Sequence, residues 1–146
     1  MIERRLARIL KIKRVSEEQA EIETRRIKDE LDAERKKLHI LRVHLEDIIA
    51  GINNTGNGQE VDIRAMNFQY NRLFDLAKEI QEQLRTLDVK TREYEKKKDE
   101  LIEIHKEKRI LEILLERVFR ERLREGFRKE QKEIDFNSIT RGFREL

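Results

Sequence analysis

The residues whose types are suited to chemistry are three histidines, a glycine-rich stretch and a dense population of carboxylates and cations. His39 and His44 are five positions apart, so a helix turns them to different faces, and neither sits in a His-Glu-x-x-His pair of zinc ligands. His105 falls at the edge of an apolar stripe, which predicts a partly buried structural histidine. Gly56-Asn57-Gly58 lacks the Lys-Ser/Thr that completes a phosphate-binding loop, and no strand precedes it. The chain has no cysteine, which excludes disulfides, thiolate metal sites and thiol catalysis. Asp and Glu are abundant, but general acid–base work needs a concave site that perturbs and positions a pair of them. The expectation is no catalytic residue, no cofactor, no metal and no small-molecule substrate.

The elements that would carry any site are helical. Charged residues make up 45% of the 146 positions and hydrophobic ones 37%, with no Trp and no Pro. That apolar content is too small for a layered globule and sufficient for a seam between two helices. Disorder is the competing reading of so charged a chain, and ordered apolar spacing argues against it. The 34 basic and 31 acidic residues are interleaved, as on solvated helix faces, and leave a net charge of +3. Met-Ile-Glu-Arg-Arg-Leu does not open a signal peptide, and no apolar run is long enough to cross a bilayer. The sequon Asn53-Asn54-Thr55 carries no weight without secretion, and a cytoplasmic location is expected.

The expected fold is all-α, two long helices forming a single-chain antiparallel coiled-coil hairpin. Arm one covers 2–50, the turn 51–61, arm two 62–135 and a tail 136–146, within one coiled-coil domain. The turn is placed by composition: three of the five glycines lie in Gly51–Glu60, with Asn53, Asn54 and Asn57. Gly51 is predicted to end the first helix and Asp62 to cap the second. In arm one, alternating steps of four and three give Leu6, Leu10, Lys13, Glu17, Ala20, Thr24, Ile27, Leu31, Glu34, Leu38, Leu41, Leu45 and Ile48. The same steps from Met66 give Tyr70, Leu73, Ala77, Ile80, Leu84, Leu87, Thr91, Tyr94, Lys98, Leu101 and His105. Folding about the turn pairs Leu45 with Met66, Leu38 with Leu73, Glu34 with Ala77, Glu17 with Tyr94 and Leu6 with His105. Lys13 then faces Lys98, a repulsive layer, and the stripe is expected to drift so that Ile12, Val15, Ile22 and Val89 share the contact.

In that register Met1 meets Ile110, and arm two continues alone from Leu111 to Asp135, roughly 37 Å of helix. This overhang carries Leu111, Ile113, Leu114, Leu115, Val118, Phe119, Leu123 and Phe127. From Lys106 to Lys132 there are ten Lys/Arg and six Glu; from Arg4 to Arg14 there are six basic residues and no acid. An end both positive and apolar reads as a docking helix for another protein, or as a pairing surface for a second copy. RNA can also receive a long helical hairpin. However, acids dilute the cations throughout, no aromatic platform is present, and Lys96-Lys97-Lys98 is an ordinary solvated run. No nucleic-acid partner is expected.

Three stretches carry a family resemblance. The first is Leu6-x-x-Ile9-Leu10 with Lys13, Glu17-Glu18-Gln19-Ala20 and Glu23. The second is Asn67-Phe68 through Leu73, Ile80 and Gln83. The third is Glu130-Gln131-Lys132-Glu133-Ile134-Asp135, preceded by Leu111 and Leu115. In this order and spacing they resemble the flagellar export protein FliJ family over almost the whole chain. At Phe136 the sequence departs from the acidic residue and helical turn that commonly follow in that family. Stalk proteins of virulence type III secretion systems are similar too, and stand as the alternative beside a generic structural coiled coil and an RNA-binding hairpin.

The resemblance implies a two-helix coiled coil similar to the central stalk of rotary ATP synthases, monomeric as an isolated chain. It implies a cytoplasmic protein, peripheral at the inner face of the cell membrane with the export apparatus. Implied partners are the hexameric flagellar export ATPase, whose assembly and activity it promotes, the export gate in the membrane, and export chaperones. On that reading Arg4, Arg5, Arg8, Leu114, Leu115, Val118, Phe119, Leu123 and Phe127 meet the ATPase. Phe68, Phe74 and Leu76, taken as apolar residues off the seam, meet the gate or else pack on the flank of arm one.

Overall fold

A computed structural model describes residues 2–55 and 62–145. They form two helices, α1 (Ile2–Thr55) and α2 (Ile63–Glu145), packed against each other as in an antiparallel hairpin. With no proline in the chain, nothing in the sequence forces either helix to stop early. The Glu, Lys, Arg and Leu that dominate the chain are good helix formers, and the packed apolar stripes add the tertiary stability. Asp62 caps α2 as expected: its Oδ1 accepts the Arg64 amide at 3.0 Å and its carbonyl accepts the Met66 amide at 3.0 Å.

The boundaries differ from the expectation at both ends of the pattern. α1 does not end at Ala50 but runs through Gly51 to Thr55. Gly51 and Ile52 are both half-buried, and a Cβ built on Gly51 would lie 4.0 Å from Gln69 Nε2. Glycine inside a helix costs roughly 1 kcal/mol relative to alanine. Residues 56–61 of the expected turn lie outside the described residues. α2 likewise passes the expected stop at Asp135 and continues to Glu145, with Thr140 Oγ1 donating to the Phe136 carbonyl at 2.8 Å.

Contacts group the chain into two compact units: Ala20–Leu101, and Met1–Gln19 together with Ile102–Leu146. In the first unit α1 buries the stripe expected of it, with Ile27 at 0% and Leu31 at 2% exposure and Thr24 and Leu38 also buried. On α2 the inward positions Met66, Leu73, Ile80, Leu87, Tyr94 and Leu101 agree with the sequence reading. The positions between them do not. Gln69, Leu76, Gln83 and Lys97 face inward, and Tyr70, Ala77, Leu84 and Lys98 are exposed. From Met66 the stripe therefore steps by three and then four, the reverse of the expected order.

The register is corrected as well. Gln83 Nε2 donates to the Glu34 carbonyl at 3.0 Å and to its carboxylate, so Glu34 meets Gln83 and not Ala77. Lys90 reaches Glu30 at 2.8 Å and Lys97 reaches Glu23 at 3.4 Å. A heptad seam looks alike after sliding, so apolar spacing does not choose a register; these polar partners do.

In the second unit Leu10 is buried, and Leu6, Ile104, Leu111, Leu115 and Val118 are half-buried. The repulsive Lys13/Lys98 layer does not form: Lys13 pairs with Glu107 at 2.5 Å. With its cations paired the stripe has no cause to drift, and Ile12, Val15, Ile22 and Val89 are all exposed. Glu3 meets Arg122 at 2.7 Å, which replaces the expected meeting of Met1 with Ile110. Residues 121–139 are exposed, so the unaccompanied part of α2 begins near Glu125, not at Leu111.

Candidate functional site

The unit that holds the first turns of α1 and the last turns of α2 brings together most residues assigned to partner binding. Its interior is locked by charge. Lys108 Nζ lies 2.9 Å from the Glu17 carboxylate, and His105 Nδ1 lies 3.4 Å from Glu17 Oε2. The hydrogen bond from Lys108 holds the Glu17 carboxyl below the usual carboxylate range, against desolvation that works in the opposite direction; His105 adds to the lowering. His105 itself is an exposed flank residue and not a partly buried one. At the start of α1, Glu3 Oε2 accepts from Arg122, while Glu3 Oε1 is buried with no partner among the described residues.

Beyond this lock, a groove of about 710 Å³ opens between the helices. Ala7, Leu10, Leu115 and Phe119 supply apolar lining, Glu3, Arg4 and Arg14 stand on the α1 side, and Glu112 and Glu116 on the α2 side. Such a trough accepts a helix with apolar knobs along one stripe and opposite charges on its two flanks.

The residues assigned to the ATPase divide into two groups. Arg4, Arg5, Arg8, Leu114, Phe119, Leu123 and Phe127 are exposed. Leu115 and Val118 are half-buried, on the side of α2 that meets α1. Phe127, Ile134, Phe136 and Ile139 extend the exposed apolar set along the unaccompanied end of α2. The sequence reading missed the groove residues Glu3, Ala7, Arg14, Glu112 and Glu116, because a trough between helices depends on the register. The absence of acids after Glu3 in the first turns of α1 was its visible sign.

The residues assigned to the gate lie in the other unit. Phe68 and Phe74 are 64% and 70% exposed. They are six positions apart and so do not share one helix face. Leu76 is 8% exposed and belongs to the seam, which corrects its placement off it. It points inward because the stripe on α2 steps by three from Leu73.

Among the described residues no cluster of His, Asp or Glu is arranged to hold a metal ion, and no helix is long and apolar enough to cross a membrane. Exposed apolar side chains beside unpaired cations, carried on two packed helices, define an all-helical interaction protein. The chain belongs to the FliJ family: the family described as flagellar FliJ protein matches residues 2–145. No curated protein and no solved structure matches it. Membership makes the chain a non-enzymatic component of the flagellar export apparatus, with partners within that apparatus.

Proposed function

We propose that the unit carrying both helix termini docks in the hexameric flagellar export ATPase, promotes its assembly and activity, and that the chain links it to the export gate and to export chaperones. It works in the cytoplasm at the inner face of the membrane. The observation that carries this reading is the free end of α2. Past Glu125 the helix extends for about 30 Å without α1 beside it, and Phe127, Ile134, Phe136 and Ile139 stand in solvent. Arg4, Arg5 and Arg8 supply charge for orientation, and Leu114, Phe119 and Leu123 supply apolar contact. Leu115 acts from below, by lining the groove, and Val118 by packing on the side of α2 that meets α1. Phe68 and Phe74 remain the candidates for the gate.

A single asymmetric chain in a six-fold ring meets neighbouring subunits differently, so it binds some of their conformations more tightly than others. Differential affinity shifts populations. Nucleotide turnover then rises without any catalytic group from this chain. The test is the ATPase rate of the hexameric partner with the full chain and with a chain ending at Glu125. That truncation leaves the seam and the Glu3–Arg122 pair intact. Stimulation is expected to fall to the basal rate while the melting temperature holds. Undiminished stimulation removes the free end of α2 from the mechanism.

A further inference from the structure

The first turns of α1 carry a run of cations of which only Lys13 has an ion-pair partner among the described residues. Six cations and no acid lie between Arg4 and Ser16. The seam cations have partners: Lys13 within this stretch, and Lys90, Lys97 and Lys108 on α2, each reach a carboxylate on the other helix. Among the described residues, Arg4, Arg5, Arg8, Lys11 and Arg14 form no ion pair. They leave a positive face available to an anionic partner.

The same stretch exposes aliphatic side chains. Ile12 is 65% and Val15 48% exposed. Leu6, Leu10 and Lys13 face α2, so helical geometry turns Arg8, Ile12 and Val15, spaced by four and three, to the opposite side. Arg5 and Lys11 flank that stripe. A polyanion would need only the cations. The β-branched side chains set among them gain where apolar matter lies beside anionic groups, as at the headgroup boundary of a bilayer.

We propose that this outer face of α1 binds the surface of an anionic phospholipid bilayer. Ile12 and Val15 enter the boundary between headgroups and acyl chains, and Arg5, Arg8 and Lys11 pair with lipid phosphates. Binding is reversible and weakens with salt, because surface attraction extends only over a Debye length. The inference does not rest on docking in the ATPase, although Arg5 and Arg8 belong to both surfaces, so bilayer and ATPase compete for them.

The test is co-sedimentation of the full chain with vesicles of phosphatidylglycerol and phosphatidylcholine, set against vesicles of phosphatidylcholine alone. Binding is expected only on the anionic vesicles. Arg5→Glu with Arg8→Glu should lower the partition coefficient by at least about tenfold. Ile12→Ser with Val15→Ser leaves the charge unchanged and should lower it about tenfold, while Ile12→Leu keeps it. All these positions are exposed, and far-UV circular dichroism checks that the helices persist. Three results overturn the proposal: no binding to anionic vesicles, equal binding to neutral ones, or full binding by the serine variant, which would reduce the face to a site for any polyanion.

Discussion

Glu17 and Lys108 face each other across the two helices at 2.9 Å, with only 15% and 17% of their side chains exposed. A charged pair held this far from water fixes which turn of one helix meets which turn of the other. It also makes stability depend on pH. The Glu17 carboxyl is depressed, chiefly by the Lys108 hydrogen bond. Glu30 is depressed by Lys90 and Glu34 by Gln83. A carboxyl whose folded value is lowered contributes stability that is complete above its ordinary value and is lost as pH falls through the folded value. The melting temperature should therefore hold from neutrality down to about pH 5 and fall below it. In Glu17→Gln the acid-side slope should be shallower; an unchanged slope would deny Glu17 a part in it.

The seam should bear the stability and the flanks should not. Ile27→Ala should cost about 2–5 kcal/mol, because Ile27 is fully buried and a two-helix seam refills a cavity only in part. Leu76→Ala should also destabilise. Ile22→Ala and Phe74→Ala, at 67% and 70% exposure, should stay within about 0.5 kcal/mol of the parent. Chemical denaturation with an unchanged m-value reads all four.

Register can be read without altering the chain. A zero-length carbodiimide links an ammonium to a carboxylate only when they touch. Peptides joining Lys108 to Glu17, Lys13 to Glu107, Lys97 to Glu23 and Lys90 to Glu30 should appear by mass spectrometry. Links placing Glu17 near Tyr94, such as Glu17 to Lys96, would restore the register expected from apolar spacing.

Gly126 lies inside α2, and a Cβ there would meet nothing within 4 Å. Gly126→Ala should strengthen the local helix by up to about 1 kcal/mol. Amide hydrogen exchange across residues 127–140 should slow, with the global melting temperature nearly constant because no seam contact changes.

Much of this was written in the chain. Leu10, Thr24, Ile27, Leu31 and Leu38 are the buried residues of α1 among those described, and all five stand on the stripe read from spacing alone. Asp62 announced its capping role by type and place. On α2 the two step orders share Met66, Leu73, Ile80, Leu87, Tyr94 and Leu101, so these were legible as well. Gln83 and Leu84 were not separable: the apolar residue looks like the better seam member, yet Gln83 turns inward because Glu34 offers it a carbonyl and a carboxylate. The groove at Arg4, Arg14, Glu112 and Glu116 was hidden for the same reason, since it exists only once a register is chosen.

The sequence by itself determined two helices, their inward stripe on α1, the cap at Asp62 and a basic, partly apolar first stretch, because helical periodicity and capping are local properties. Only the tertiary structure decided which turns meet, that Leu76 is core, and that α2 stands alone from near Glu125. Those depend on matching polar groups across helices, and a repeat of seven leaves that match open until both partners are in place.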